Sequence, residues 1–134
     1  MTTVFDASAL IAFLGMEQGA LVVRQALRDN PGACYVHAVN LCEVYYHVVR
    51  IRDTPTVERA LQLLGSAGII VREDMDTAFW QDAGWLKATY VRVSLADCYC
   101  LALARRVGGE MLTADHHEFD ALTPHGLCPI RFIR

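Results

Sequence analysis

No stretch of this sequence approaches the roughly 18 consecutive apolar residues needed to cross a bilayer, so no membrane span is expected. Basic residues are missing from the opening Met1-Thr2-Thr3-Val4-Phe5-Asp6, where an acid arrives almost at once; that pattern argues against a secretory leader and for the cytoplasm. Positive charge is in short supply throughout: 12 lysines and arginines stand against 15 aspartates and glutamates, a net charge of −3. A protein that held nucleic acid through bulk charge would be basic, so any such contact here must use a local basic patch or bound cations. The five cysteines, Cys34, Cys42, Cys98, Cys100 and Cys128, are odd in number and include no CxxC pair, which argues against a disulfide framework and leaves them as small apolar residues. Cys98 and Cys100 lie two apart on a predicted helix, diverge, and make a poor chelate for zinc. A GxSxG elbow, a Walker A loop and a GxGxxG turn are all lacking, which argues against a serine nucleophile, a P-loop and a dinucleotide site.

Apolar residues make up 54% of the chain and charged ones 20%, so a packed core is expected, and 134 residues fit one domain, 1–134. Thr2–Phe5 is a short β-rich run, and Ser8 is the expected N-cap of a helix over Ala9–Leu14 that Gly15 stops. A second helix is predicted from Gln18 to Arg28, broken by Asn30-Pro31-Gly32, and Cys34–Val36 reads as the second strand. Apolar residues at Val39, Cys42, Tyr46 and Val49 predict a helix over Ala38–Arg52; Asp53-Thr54-Pro55 ends it and opens another through Leu64. After a loop over Gly65–Gly68 come a strand, Ile69–Val71, a long helix over Asp76–Tyr90, and a helix from Ser94 through Val107 closed by Gly108-Gly109. Glu110–Thr113 and Pro129–Phe132 are the fourth and fifth strands. Strands separated by helices, without a hairpin signal between neighbours, predict a three-layer α/β/α fold around a central parallel sheet of about five strands.

In such a sheet the ligand crevice lies outside the carboxyl ends of the strands, above all where strand order reverses. Asp6 follows the first strand directly, and Asp115 follows the fourth after only Ala114. Glu43 and Asp97 fall in the early turns of helices predicted to begin at that same edge. Each acid also has a purely local use. Asp6 can end a strand, Glu43 can be solvated, Ser94-Leu95-Ala96-Asp97 has the form of a capping box, and Asp115 can start a turn into a short helix around Glu118–Leu122. Four independent local uses would have to fall on one edge by accident. Clustered carboxylates repel unless a cation compensates, and hard oxygen donors suit Mg²⁺ or Mn²⁺ better than zinc. Such ions act on phosphate esters without a nucleophilic side chain.

Asp6-Ala7-Ser8, Asn40-Leu41-Cys42-Glu43, Ser94-Leu95-Ala96-Asp97 and Thr113-Ala114-Asp115 occur in an order and spacing that resembles PIN domains, in particular the VapC-type ribonuclease toxins of toxin–antitoxin pairs. The resemblance spans essentially the whole chain. It implies a PIN-like fold, RNA cleavage with Mg²⁺ or Mn²⁺, homodimerisation and inhibition by an antitoxin protein. It also implies that Asp6, Glu43, Asp97 and Asp115 are the metal-binding, catalytic acids, supported through hydrogen bonds by Ser8, Asn40 and Thr113. A PIN-like module that binds a partner without catalysis is the alternative, against which the complete acid set argues. A phosphatase would want a second Asp where Ser8 stands, and a receiver domain an acceptor Asp at the third strand and a later lysine, whereas Lys87 is the only lysine.

Arg50, Arg52, Arg72, Arg92, Arg105 and Arg106 read mostly as solvated charges, Arg92 being nearest in sequence to the proposed site. His37, His116 and His117 are expected at the surface, with phosphate contact as the other reading, and Tyr45, Tyr46, Trp80 and Trp85 in core or interface. Leu10–Leu14, Leu21–Val23, Val48-Val49 and Ile51 exceed what a small core can hide, which predicts a homodimer and an antitoxin groove along the early helices.

Overall fold

The computed structural model describes all 134 residues, Met1–Arg134. Its strands are β1 (Thr3–Phe5), β2 (Cys34–His37), β3 (Ile70–Arg72), β4 (Glu110–Thr113) and β5 (Ile130–Phe132). The helices are α1 (Ala7–Leu14), α2 (Ala20–Asp29), α3 (Ala38–Ile51), α4 (Thr54–Ser66), α5 (Thr77–Thr89), α6 (Leu95–Val107) and the single turn α7 (His116–Phe119); a 3₁₀ turn, Thr123–His125, precedes β5.

Alternation along the short strands sets the layers. Phe5 and Leu112 face a core shared with α1 to α4, while their neighbours Val4 and Met111 face a second core under α5, α6 and α7. The inner strands β1, β2 and β4 are buried or nearly so on both faces, as a covered parallel sheet requires, while the edge strands β3 and β5 are partly exposed. All four pairings are parallel and the strand order is β3-β2-β1-β4-β5. Chain order therefore runs outward from β1 in one direction and then reverses to its other side, which makes the β1/β4 boundary the topological switch point. The expected three-layer α/β/α architecture with five parallel strands is what forms, and no helix is long and apolar enough to cross a membrane.

Several boundaries differ from expectation for identifiable reasons. Asp6, not Ser8, caps α1: its carboxylate accepts from the Ala9 amide, and the helix begins at Ala7. Gly19 caps α2 with φ +94, and a Cβ there would lie 2.7 Å from the Ile133 carbonyl oxygen, so the helix starts at Ala20 rather than Gln18. The turn after β4 begins at His116 under an Asp115 cap, two residues before Glu118.

His37 is not a surface residue. It is 1% exposed, its Nδ1 caps α3 by accepting from the Val39 amide, and its Nε2 bonds the Asp74 carbonyl. The ring stacks with Phe79 and Tyr99 at centroid distances of 5.1 and 5.2 Å. Tyr45, Tyr46, Trp80 and Trp85 are exposed rather than part of the core, and Leu21 and Ile51 also remain largely in solvent. Arg72 and Arg106 are not simply solvated: both pair with Asp74, and Arg106 also pairs with Asp76.

Candidate metal centre

The end of β1 is tied to the end of β4 through one carboxylate. One Asp6 oxygen accepts from the Ser8 hydroxyl at 2.7 Å and the Ala9 amide at 2.9 Å, and the other accepts from the Thr113 hydroxyl. Ser8 Oγ in turn accepts from the Ala114 amide, and Thr113 Oγ1 from the Asp115 amide, each at 2.9 Å. Asp6 is 2% exposed. Burial lifts its carboxyl to about 6; the three hydrogen bonds oppose that rise, and the negative charge of Asp115 adds to it.

Across this strand end, α6 supplies Asp97. Ser94 caps α6 by accepting from the Asp97 amide at 3.2 Å, which is half of a capping box. The reciprocal half is made by another residue: the Ser94 amide donates to Glu118 Oε2 at 3.3 Å. The Asp97 carboxylate is thereby left for other work. Glu118 is placed by α7, whose Asp115 cap accepts from the Glu118 amide at 3.1 Å. Asp97, Asp115 and Glu118 each present an oxygen within 4.8 Å of the other two. Burial pushes the Asp97 carboxyl up to about 9, helped by a hydrogen bond with Glu118 and then by the negative charges of Asp6, Glu118 and Glu43.

Glu43 approaches from α3. Asn40, one turn earlier and fully buried, donates to Glu43 Oε1 at 3.4 Å and to the Ala96 carbonyl at 3.1 Å, which straps α3 to the start of α6. Burial raises the Glu43 carboxyl, Asn40 lowers it, and Glu118 raises it further. Asp6 and Glu43 thus border the tight trio of Asp97, Asp115 and Glu118 without belonging to it. Glu118 is the residue that sequence reasoning missed. The available signal was its position three residues after the Asp115 cap, where an acid serves a capping box.

The donor set fits a hard divalent cation. Neither Asp6, Glu43, Asp97, Asp115 nor Glu118 is paired with an arginine, lysine or histidine, although six other acids in the chain are. Asn40 Oδ1, buried beside Glu43, has no hydrogen-bond donor. Uncompensated carboxylates with oxygen-only donors are what Mg²⁺-class ions require and what a dry core avoids. Of the neighbouring histidines, His117 is exposed, and His116 stacks on Phe132 at 3.9 Å while bonding Asp120 and the Arg134 carbonyl.

The PIN domain family model matches residues 3–123. The chain is 31% identical over 118 residues to a protein of Mycobacterium bovis named VapC ribonuclease Mb2780c and to Ribonuclease VapC42 of Mycobacterium tuberculosis; each alignment covers 81% of this chain and 87% of the relative. Among solved structures, a toxin–antitoxin complex from Klebsiella pneumoniae superposes with a TM-score of 0.72 at 17% identity, covering 99% of this chain and 98% of that one. VapBC2 from Rickettsia felis, bound to a DNA fragment from its promoter, gives 0.75 at 12% identity and 98% coverage of both chains. Mycobacterium tuberculosis VapC20, described as a Sarcin-Ricin loop cleaving toxin, gives 0.69 at 16% identity, covering 90% and 95%. These structural likenesses speak to the fold, which is the one described above, and the sequence matches speak to descent. The chain belongs to the PIN-domain family and, within it, to the VapC ribonucleases.

Proposed function

We propose that this chain is an endoribonuclease that hydrolyses RNA phosphodiester bonds with Mg²⁺ or Mn²⁺ and serves as the toxin of a toxin–antitoxin pair. The observation that carries this reading is the uncompensated trio Asp97, Asp115 and Glu118 at the switch point of a PIN-domain sheet. In it, those three carboxylates hold the ion. Asp6 adds the oxygen that Thr113 leaves with a spare lone pair, and Glu43 adds negative charge and an acceptor from α3. Ser8, Thr113 and Asn40 keep the carboxylates from rotating, a supporting role favoured by their hydrogen bonds to Asp6 and Glu43. When bound, a divalent cation supplies the positive charge that a scissile phosphate needs and acidifies a water. Without it, five acids in a chain of net charge −3 would repel RNA.

Residues 1–134 act as one unit in this reading, because β1 and β5, near the two ends, lie in one sheet. We assign it to the cytoplasm, where five unpaired cysteines remain reduced. For the antitoxin, we assign the cavity of about 460 Å³ between α1, α3 and α4, floored by Ile11, Leu14, Val48 and Leu63 and rimmed by Arg52 and Arg59. The exposed Trp80, Trp85 and Leu95 are then free for a second copy of the chain.

Purified protein incubated with RNA in Mg²⁺, in Mn²⁺ and in chelator, beside Asp97→Asn, tests the reading. Cleavage is expected only with metal, and a loss of at least about 100-fold in the variant. Cutting that persists both in chelator and in the variant would overturn it.

A further inference from the structure

Glu118 has a second neighbour. Besides facing Asp97 and Asp115, it lines a cavity of about 320 Å³ walled by Tyr90 at the end of α5, by Val91, Arg92 and Val93, and by His117, Leu122 and His125 after β4. We infer that this cavity seats one unpaired nucleotide of the RNA adjoining the bond to be cut, its base against the Tyr90 and His125 rings and its phosphate against Arg92. The inference rests on the ribonuclease reading above and names a substrate subsite for it.

Four features support this occupant. Glu118 is common to the acid trio and the cavity, so an occupant of the cavity abuts the trio. Arg92 is exposed and makes no salt bridge or side-chain hydrogen bond, as is true also of Arg24, Arg28, Arg50 and Arg52, but of these it alone lines the cavity with Glu118. An unpaired guanidinium beside a cluster of acids that do not use it is suited to a phosphate. The rings of Tyr90 and His125 meet edge to face at 5.1 Å and 61°, and His125 is exposed, which offers aromatic surface for stacking. The volume sits at the low end of the roughly 300–1,000 Å³ of small-molecule clefts, enough for one nucleotide and too small for a duplex.

The loop that carries Arg92 is also held in place. Lys87, the single lysine, donates to the Val91 carbonyl at 2.8 Å and to the Val93 carbonyl at 2.7 Å. Val93 is buried in the α5–α6 core. Arg92 is thus presented from a braced loop, which lowers the entropy lost on binding. A cavity that takes a single base requires that base to be unstacked, so the substrate class is single-stranded RNA or a loop.

Fluorescence anisotropy of a labelled short single-stranded RNA, bound to Asp97→Asn protein in Mg²⁺, tests the inference. Adding Arg92→Ala or Tyr90→Ala is expected to weaken binding about tenfold, the size of one lost stacking or phosphate interaction, while Arg28→Ala on α2 changes it by less than about twofold. Arg92→Ala should also reduce the salt dependence by about one counterion. Because Arg92 is exposed, its variant keeps the test meaningful even if Tyr90→Ala fails to fold. Equal affinities for the Arg92→Ala and Arg28→Ala proteins would overturn the inference. So would an Arg92→Ala protein that dissociates into monomers in light scattering with unchanged RNA affinity, since a second copy would then be the occupant. A native chain that cuts no RNA in either metal removes the ribonuclease reading beneath it, whereas normal cutting with unaffected variant binding removes only the subsite.

Discussion

Asp97 lies in the first turn of α6, where the helix field ordinarily favours an ionised carboxylate, yet its carboxyl is pushed up to about 9. Burial and the surrounding acids outweigh the helix. In the metal-free protein the folded state therefore binds a proton that the unfolded chain releases near the ordinary carboxylate value of 3.8. Between those two values the native state carries more protons than the unfolded one, so this group makes stability fall as pH rises. A divalent cation bound at Asp97 would replace the proton and reverse the trend. Mg²⁺ should accordingly raise the melting temperature more at pH 8 than at pH 6 by differential scanning calorimetry. Metal-free Asp97→Asn should melt roughly 3–6 °C above the native chain at pH 8, equivalent to about 1 kcal/mol in a domain of this size, because the carboxamide is neutral without the proton that Asp97 must take up on folding. A variant that melts lower than the native chain at pH 8 would show that Asp97 is a structural cap and not a strained ligand. Asp6, Asp97 and Asp115 were legible because each stands at the end of a strand or the start of a helix. Glu118 was not, because its placement depends on α7 beginning two residues earlier than local turn chemistry suggests, and on a bond to Ser94, 24 residues away.

Helix caps show which local signals survive folding. Asp53, Asp76 and Ser94 each cap a helix through a side-chain oxygen that accepts from the amide three residues on. These starts are readable because Asp and Ser satisfy orphan amides with no help from the rest of the chain. His37 is a cap of another kind. Its role depends on Phe79, Tyr99 and the Asp74 carbonyl, all distant in sequence, so hydrophobic periodicity around position 37 carries no trace of it. The residue orients α3, and with it Asn40 and Glu43. His37→Phe keeps the stack but loses both hydrogen bonds, and is expected to cost about 1–3 kcal/mol. His37→Ala should cost more, because it adds a cavity beside the Phe79 and Tyr99 rings. Urea denaturation of the three proteins reports both numbers, and an alanine variant no less stable than the phenylalanine one would contradict the stacking half of the account.

At the scale of the molecule, the organising fact is the strand order β3-β2-β1-β4-β5. Alternating strands and helices announced a parallel sheet, but nothing in the chain announced that β1 would lie at its centre beside β4. That adjacency brings Asp6 against Thr113 across 107 residues, and sets Asp115 and Glu118 where α6 delivers Asp97. The same long-range pairing hid the arginines. Arg106 reaches Asp74 and Asp76 across α5, while Arg92 stays unpaired beside the acids. The early helices, expected to expose apolar surface, do so around the cavity between α1, α3 and α4, although Leu10, Ala12 and Val23 are buried.

The central claim is that carboxylates from β4–α7 and α6 converge on one divalent cation. Crystals soaked in Mn²⁺ and measured for anomalous scattering address it directly. The account predicts a peak bounded by the carboxylates of Asp97, Asp115 and Glu118, lost in Glu118→Gln crystals grown alike. Native crystals with no peak there, or with manganese held only by surface groups such as His117 or Asp120, would contradict it.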